Sequence, residues 1–422
     1  MIPFTAKKTF IYSINVALLC ILQSCNSGPN KEILANLEAD QLFSTIPSSY
    51  SGLHFNNQLD DTSAIAHKQI SEYEYYFNGG GVAIGDINND GLQDIFVTGN
   101  QVANKLYLNK GDLYFEDITE KAGFSLNRWS TGVSMADVNN DGYLDIYVCN
   151  SGPGKDKSNR GNEFYLNNGD LSFTEAANQF GIQDEHYSTQ SAFFDYDKDG
   201  DLDLFVMNHS ILSDVPFNEL TKILSQESEL KKYSNTLFQN NGDGSFTDIT
   251  KQAGLQKYSY GLGLVISDIN DDGWPDIYVS NDFDIPDFLF MNQKDGTFRD
   301  RIKWKTKHVS YNGMGCDIAD INNDGAVDIA VVDMTPDDHF RSKVIMKSMD
   351  TKYNRFMINQ LKRQHQYMFN SLQLNNGGEV FSDIAHMAGV AKTDWSWAAL
   401  LSDFDNDGYK DYLVTNGFRK YS

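Results

Sequence analysis

Cysteine is scarce, with four in 422 residues, which excludes a fold stapled by disulfides. Positive charge is in short supply. The chain has 34 Lys+Arg against 58 Asp+Glu, a net charge of −24, and so lacks the basic footprint of a nucleic-acid binder. Its most apolar stretch, Phe10 to Leu22, is too short to cross a bilayer as a helix. No G-x-S-x-G nucleophile elbow occurs, and His186, His209, His308, His339, His365 and His386 show no metal-ligand spacing. Proline is limited to eight. What is plentiful is glycine, at 33, and aromatic residues, at 13%, within a hydrophobic content of 41%. That suffices for a packed core and suits many short strands joined by tight turns.

The first residues read as an address. Lys7 and Lys8 precede the apolar run, as in a secretory signal. The run ends in Leu22-Gln23-Ser24-Cys25, which resembles the bacterial lipobox. That resemblance implies a signal peptide over 1–24, a lipid on Cys25 and a tether over 25–41; the alternative is an ordinary signal peptide with an incidental cysteine. Asn26 is not the Asp linked to inner-membrane retention in such lipoproteins, which favours the outer membrane, periplasmic or surface-exposed. Cys149 and Cys316 each belong to or adjoin an expected strand of a different repeat, so they are expected as buried free thiols.

Internal repetition decides the architecture. DINNDGLQD (86–94), DVNNDGYLD (137–145), DYDKDGDLD (195–203), DINDDGWPD (268–276), DINNDGAVD (320–328) and DFDNDGYKD (403–411) all read D-x-[DN]-x-D-G-x-x-D. A strand-like apolar run follows each. A second pattern, two apolar runs around an Asn/Gly/Asp turn, starts at 106, 164, 237, 289 and 372 and is a hairpin signature. From each hairpin to the next acidic motif the step is 31 residues in all five cases, whereas the step from acidic motif to hairpin varies from 20 to 52. Constant length everywhere except one connection is what a radial array of equal blades requires. The expected fold is all-β: a propeller of four-stranded antiparallel blades over 42–422, with helical insertions.

Carboxylates crowded into a tight turn repel, and a hard cation removes the conflict. Calcium takes six to eight oxygens, which alternate positions of a curled loop supply. The candidate ligands are Asp86, Asn88, Asp90, Leu92 (carbonyl) and Asp94; Asp137, Asn139, Asp141, Tyr143 and Asp145; Asp195, Asp197, Asp199, Asp201 and Asp203. In the later repeats they are Asp268, Asn270, Asp272, Trp274 and Asp276; Asp320, Asn322, Asp324, Ala326 and Asp328; Asp403, Asp405, Asp407, Tyr409 and Asp411. Up to six structural Ca²⁺ ions are expected; the alternative is six acidic turns closed by Asx hydrogen bonds alone. Position twelve is Val97, Val148, Val206, Val279, Val331 and Val414, where an EF-hand needs Glu, so the loops are not EF-hands.

These motifs resemble the FG-GAP/VCBS repeats, whose integrin α-subunit members are seven-bladed propellers with calcium in the first hairpin of some blades. Their order is also similar to bacterial lipoproteins related to cartilage acidic protein, which often carry an ASPIC/UnbV domain. Against that pattern, six acidic motifs are present and no hairpin follows the sixth. The expectation is either a truncated seven-bladed parent or a six-bladed ring closed from the N-terminal side by LFSTIPSSYSGL (42–53).

Alternating strand direction puts the acidic turns on one face and the variable connections on the other. The insertions 150–163, 207–236 and 333–371 therefore share the second face, where recognition is expected. Residues 214–234 read as helical; Arg341, Lys343, Lys347, Lys352, Arg355, Lys362 and Arg363 make a basic stretch that is either a solvated helix or a docking surface for an acidic partner. Trp129, Tyr187, Tyr260 and Trp395 stand eight residues before an acidic motif, and Trp397 is close by. They are expected near the channel mouth, either stacking on a ligand or packing between blades. The functional expectation is a calcium-stabilised, lipid-anchored envelope protein that binds a protein or carbohydrate. The alternative is a polysaccharide lyase or hydrolase on the same scaffold, which would release unsaturated or shortened sugars.

Overall fold

A computed structural model of the chain describes residues 42–124, 128–154, 159–344, 351–360, 362–377 and 380–417. The expected signal peptide, lipidated Cys25 and tether lie outside the described residues. Among those described, no helix is long and apolar enough to cross a membrane.

Six blades stand around a channel. The first is β1 (Val82–Gly85), β2 (Asp94–Val97), β3 (Lys105–Asn109) and β4 (Phe115–Asp117). The second is β5 (Ser130–Ala136), β6 (Asp145–Asn150), β7 (Glu163–Asn167) and β8 (Phe173–Glu175). The third is β9 (Ser188–Phe194), β10 (Asp203–Asn208), β11 (Thr236–Asn240) and β12 (Phe246–Asp248). The fourth is β13 (Gly261–Ser267), β14 (Asp276–Asn281), β15 (Phe288–Asn292) and β16 (Phe298–Asp300). A short strand, β17 (His308–Ser310), precedes the fifth blade, which opens with β18 (Cys316–Ala319) and β19 (Asp328–Val331). After β20 (Met334–Thr335) and β21 (His365–Tyr367), it finishes with β22 (Ser371–Asn375) and β23 (Phe381–Asp383). The sixth has β24 (Asp394–Ser402) and β25 (Asp411–Asn416), with β20 paired to the start of β24. The first five are antiparallel meanders in chain order, and β17 pairs in parallel with β21 beside the fifth.

In blades two to five the second strand is the buried spine of its blade; β6, β10, β14 and β19 are buried along their whole length. Both faces of such a strand are apolar because a blade packs on a neighbour at either side. The core is accordingly split into five clusters, one per blade interface. That between blades one and two, for example, joins Phe96, Leu106 and Phe124 to Val133, Ile146 and Tyr165. Cys149, buried, and Cys316, half-buried, are free thiols as expected, and burial pushes both up to about 12.

The innermost strands touch backbone to backbone. A Cβ on Gly132 would lie 2.5 Å from Thr189 O and 2.7 Å from Gln190 Cα of the next blade, and one on Gly263 would lie 2.8 Å from Cys316 N. Only glycine allows that approach. The hydroxyl of Thr131 donates to Ser188 O (2.8 Å) and that of Thr189 to Gly261 O (2.9 Å), tying successive blades around the channel.

Candidate functional site

The six acidic turns adopt one conformation. Position four is left-handed in every loop (Asn89, Asn140, Lys198, Asp271, Asn323 and Asn406, φ 55–62°), and so is the glycine at position six. The first aspartate closes the turn: Asp86 accepts from Asp90 N (3.1 Å) and Gly91 N (2.7 Å), and Asp403 does the same with Asp407 N and Gly408 N (3.0 and 2.9 Å). The fifth position accepts from the seventh, as Asp141 does from Tyr143 N (2.9 Å).

The last aspartate has a task that the spacing did not reveal. Asp94, Asp145, Asp203, Asp276 and Asp328 are buried, each accepting from two backbone amides. Asp276 takes Ile269 N (3.1 Å) within its loop and Asn292 N (2.8 Å) at the end of the third strand. The same residue thus staples the loop to the neighbouring hairpin. Burial raises these carboxyls, against the pull of the two amides, and nearby carboxylates push the same way: Asp145 to about 6, Asp203 and Asp276 to about 7.

In the third and sixth blades, Asp195, Asp197 and Asp203, and Asp403, Asp405 and Asp411, bring one carboxylate oxygen each within 4.8 Å of the others. Like charges at that distance repel by about 1 kcal/mol per pair in water, or about 3.5 kcal/mol at an effective dielectric of 20. In the remaining loops Asn88, Asn139, Asn270 and Asn322 replace the third-position carboxylate and donate to the fifth-position aspartate. Carboxylate, amide and position-seven carbonyl oxygens, with no nitrogen or sulfur donor, make a set that fits a hard cation such as calcium. One loop holds a competitor: Lys294 Nζ lies 3.2 Å from Asp272.

On the opposite face two of the expected aromatics follow the packing alternative rather than lying open to a ligand. Tyr187 and Tyr260 are only 8% and 2% exposed, because a segment preceding blade one covers them. Tyr73 stacks on Tyr187 (centroids 6.3 Å) and meets Trp129 edge-on (6.1 Å), while Tyr76 packs on Trp129 at 4.9 Å. Below this plug Tyr73 OH lies 2.8 Å from Ser151 Oγ and 3.2 Å from His209 Nε2. His209 Nδ1 faces Ser210 O at 2.9 Å; a carbonyl only accepts, so Nδ1 carries the proton and Nε2 accepts. Burial lowers this imidazole to about 4. Tyr75 OH donates to Asp282 (3.3 Å), and Tyr76 OH donates to Asp60 O (2.6 Å). The plug's only trace in sequence is Glu72-Tyr-Glu-Tyr-Tyr-Phe77, an aromatic cluster without periodicity.

Trp395 pairs with Met334 across β24 and β20, and Trp397 donates Nε1–H to Gly417 O (2.8 Å). Both are half-buried at the sixth blade, apart from the other three aromatics. The channel beneath the plug holds a cavity of about 330 Å³ lined by the innermost strands of blades two to six and by Gly79–Gly81 just before β1. Beside the plug an open groove of about 520 Å³ is lined by Trp129, Arg128, Arg160, Gln69, Gln101 and Asn159. Arg160 lies over the Tyr187 ring at 4.2 Å and donates to Gly154 O (2.9 Å); Arg128 pairs with Glu163 (3.3 Å) and donates to Gly161 O.

The insertions are partly helical, as read from sequence, with helices Phe217–Leu224, Glu227–Lys231, Arg341–Val344 and Thr351–Asn359. Phe217 and Phe356 meet edge-on at 5.8 Å, joining the second insertion to the third. Of the basic stretch, Arg341 forks onto Asp394 (2.6 and 3.0 Å) and Arg363 reaches Asp284 (3.4 Å). These arginines tie the insertion to the blades.

Strand, carboxylate-bearing turn, strand, repeated about a channel, defines a β-propeller whose turns are built of oxygen donors. The chain belongs to the FG-GAP-like repeat family, whose model matches residues 55–148, 152–206, 225–279 and 268–331. Among curated proteins it is similar to cartilage acidic protein 1 of Xenopus tropicalis, 28% identical over 268 residues, 59% of this chain and 39% of that one. The mouse and human proteins are each 24% identical over 275 residues. The chain thus spans well under half of the relatives it matches. Among solved structures, an Agrocybe aegerita lectin that recognises non-reducing terminal N-acetylglucosamine aligns at TM-score 0.43, with 16% identity over 79% of this chain and 73% of that one. The V. cholerae biofilm matrix protein Bap1 aligns at 0.32, with 10% identity over 61% and 35%. Likenesses of this size say nothing of a shared ligand.

Proposed function

We infer that this propeller is a calcium-stabilised binding protein of the cell envelope, held to the outer membrane by a lipid on Cys25, and that it captures a carbohydrate on its insertion face. The groove at Trp129 carries the reading. An indole beside two guanidinium groups and several side-chain amides suits a sugar, whose apolar ring face stacks and whose hydroxyls take planar hydrogen bonds. Rigid blades with clamped loops keep such a surface pre-organised. Calcium fits the oxygen-only turns on the far face, where it would relieve carboxylate repulsion and pin each hairpin. The lipid rests on Leu22-Gln23-Ser24-Cys25.

The test is glycan-array capture in calcium by the parent, Trp129→Ala and Asn159→Ala. Asn159 is exposed, so its replacement separates recognition from folding. Loss of a captured glycan in both variants, with the melting temperature of Asn159→Ala unchanged, supports the groove. Capture that neither variant alters places the ligand elsewhere, and shortened or unsaturated products would make the protein an enzyme.

A further inference from the structure

One turn of the ring departs from the other four. Past each outer strand the chain makes a tight turn whose first and fifth residues bond in a fixed way. Ile118 N donates to Leu106 O and Ala122 N to Ile118 O; Ala176 and Phe180, Ile249 and Ala253, and Ile384 and Ala388 repeat the pattern in blades two, three and five. All eight are apolar, and those of blades one to three are buried against the next blade. In blade four the places are held by Arg301, whose N donates to Leu289 O (2.7 Å), and Lys305, whose N donates to Arg301 O (2.9 Å). Two cations thus stand where the repeat puts core residues. A local break in an otherwise consistent pattern points to function rather than folding.

The exchange leaves an open groove of about 600 Å³ beside blade four, lined by Arg301, Lys305, Trp304, Gln293, Lys294 and Asp272 among others. Trp304, in helix Ile302–Lys305, is 62% exposed, and it is the one exposed tryptophan of five. The Arg301 guanidinium lies over its ring, 6.0 Å from the centroid. Arg301 and Lys305 are half-buried, and among the described residues neither forms an ion pair. Asp272 is taken by Lys294 (3.2 Å) and Asp300 by Lys257 (2.6 Å). Partly desolvated positive charge without a counter-charge is costly, and a chain of net charge −24 has carboxylates to spare for pairing. The run from Lys294 to Lys307 nevertheless holds six cations against two carboxylates, a reversal of sign that suits an anionic ligand.

We propose that this groove binds an acidic polysaccharide, a polyuronate, at a site separate from the groove at Trp129. A uronate residue carries its carboxylate on the pyranose ring. One residue can therefore lay its apolar ring face on the Trp304 indole while its carboxylate takes the Arg301 fork and the Lys305 ammonium. The repeating charge of the polymer then meets Lys303 and Lys307, both exposed on the same segment. A groove admits a chain, whereas the flat surface of an anionic bilayer would reach the exposed lysines and leave the half-buried pair unmet. An acidic peptide would use the cations and have no need of the indole.

The test titrates the full chain with tetragalacturonate, and with its methyl ester in which every carboxylate is blocked, by calorimetry at low and high salt. Expected are binding of the acid that salt weakens and at least tenfold weaker binding of the ester. Arg301→Ile/Lys305→Ala restores the residues that blade three carries at these places, Ile249 and Ala253. That variant should melt no lower than the parent and lose at least tenfold in affinity. Trp304→Ala, which removes an exposed ring, should lose affinity with its fold intact and keeps the idea testable if the double variant fails to fold. Lys68→Gln, at a distant exposed lysine, controls for net charge and should bind as the parent does. Equal binding of acid and ester, or an affinity that the double variant and Trp304→Ala leave intact, overturns the proposal. Phosphatidylglycerol vesicles that bind through Arg301 and Lys305 when tetragalacturonate does not would make the surface a membrane contact and also refute it.

Discussion

Replacing Gly132 by alanine probes the closeness of the blades around the channel. Gly132 is not in a left-handed conformation, so the substitution meets no backbone penalty of its own. The new methyl would stand 2.5 Å from Thr189 O and 2.7 Å from Gln190 Cα, both on the next blade. An ordinary contact needs a further ~0.7 Å or more. Backbone cannot rotate away as a side-chain tip can, so blades two and three must part. Overpacking of this sort costs about 1–3 kcal/mol, and the upper end applies because the obstacle is main chain. With an unfolding entropy near 0.8 kcal/mol/K for a chain of this length, about 3 kcal/mol lowers the melting point by about 3–4 °C. Gly91→Ala is the control: its φ is 86° but nothing lies within 4 Å, so only the left-handed strain of about 1 kcal/mol applies, near 1 °C. Differential scanning calorimetry of the two variants decides. A Gly132→Ala protein that melts with the parent, or no lower than Gly91→Ala, would refute the close approach.

Chelation is expected to lower the melting temperature cooperatively, since each occupied loop contributes about 2.7 kcal/mol when calcium exceeds its dissociation constant a hundredfold. Identical melting in EGTA and in millimolar Ca²⁺ would sink the metal reading. Removing the ammonium beside Asp272 by Lys294→Ala should tighten calcium uptake by the fourth loop, measurable by titration calorimetry; unchanged uptake would contradict it. Burial raises Asp282 and Asp287 to about 7 and Asp333 to about 6. Folded pKa values above the unfolded one give stability that is full below about 4 and lost as pH rises through 6–7. In EGTA the melting point should therefore fall as pH rises from about 4 to about 7 and level off above it, with the titration of His209 opposing the fall between about 4 and 6.5. Asp287→Asn, which keeps an acceptor for Asn281 N, should flatten that slope; an equal slope in the variant would exonerate this carboxyl.

The repeat made most of the architecture legible, because each blade restates the same two motifs and a constant 31-residue step. The acidic turns fell where the nonapeptides put them. The double duty of their last aspartate did not show, since its second partner, such as Asn292 N for Asp276, comes from another strand. Unread too was a side-chain clamp before each third strand. Asn104, Asn162, Asn235, Asp287 and Asn370 accept from the backbone N of Gly99, Asn150, Asn208, Asn281 and Asp333. The spacing [ND]-x₄-N, as in Asn162 to Asn167, was the available signal. The tyrosine plug escaped because its partners are remote: Tyr75 bonds Asp282, 207 residues away. Local periodicity carries no trace of such a pairing.

That clamp has a corollary. A second strand such as Asp145–Asn150 spans about 20 Å at 3.3 Å per residue, stapled by its aspartate at one end and gripped at the other by the amide oxygen of Asn162. Whatever lies between residue 150 and residue 162 leaves and re-enters the scaffold through fixed ports. The same grip closes a connection of five residues, from Gly99 to Asn104, and one of 37, from Asp333 to Asn370, so the length of what stands between the ports is decoupled from the strands they anchor.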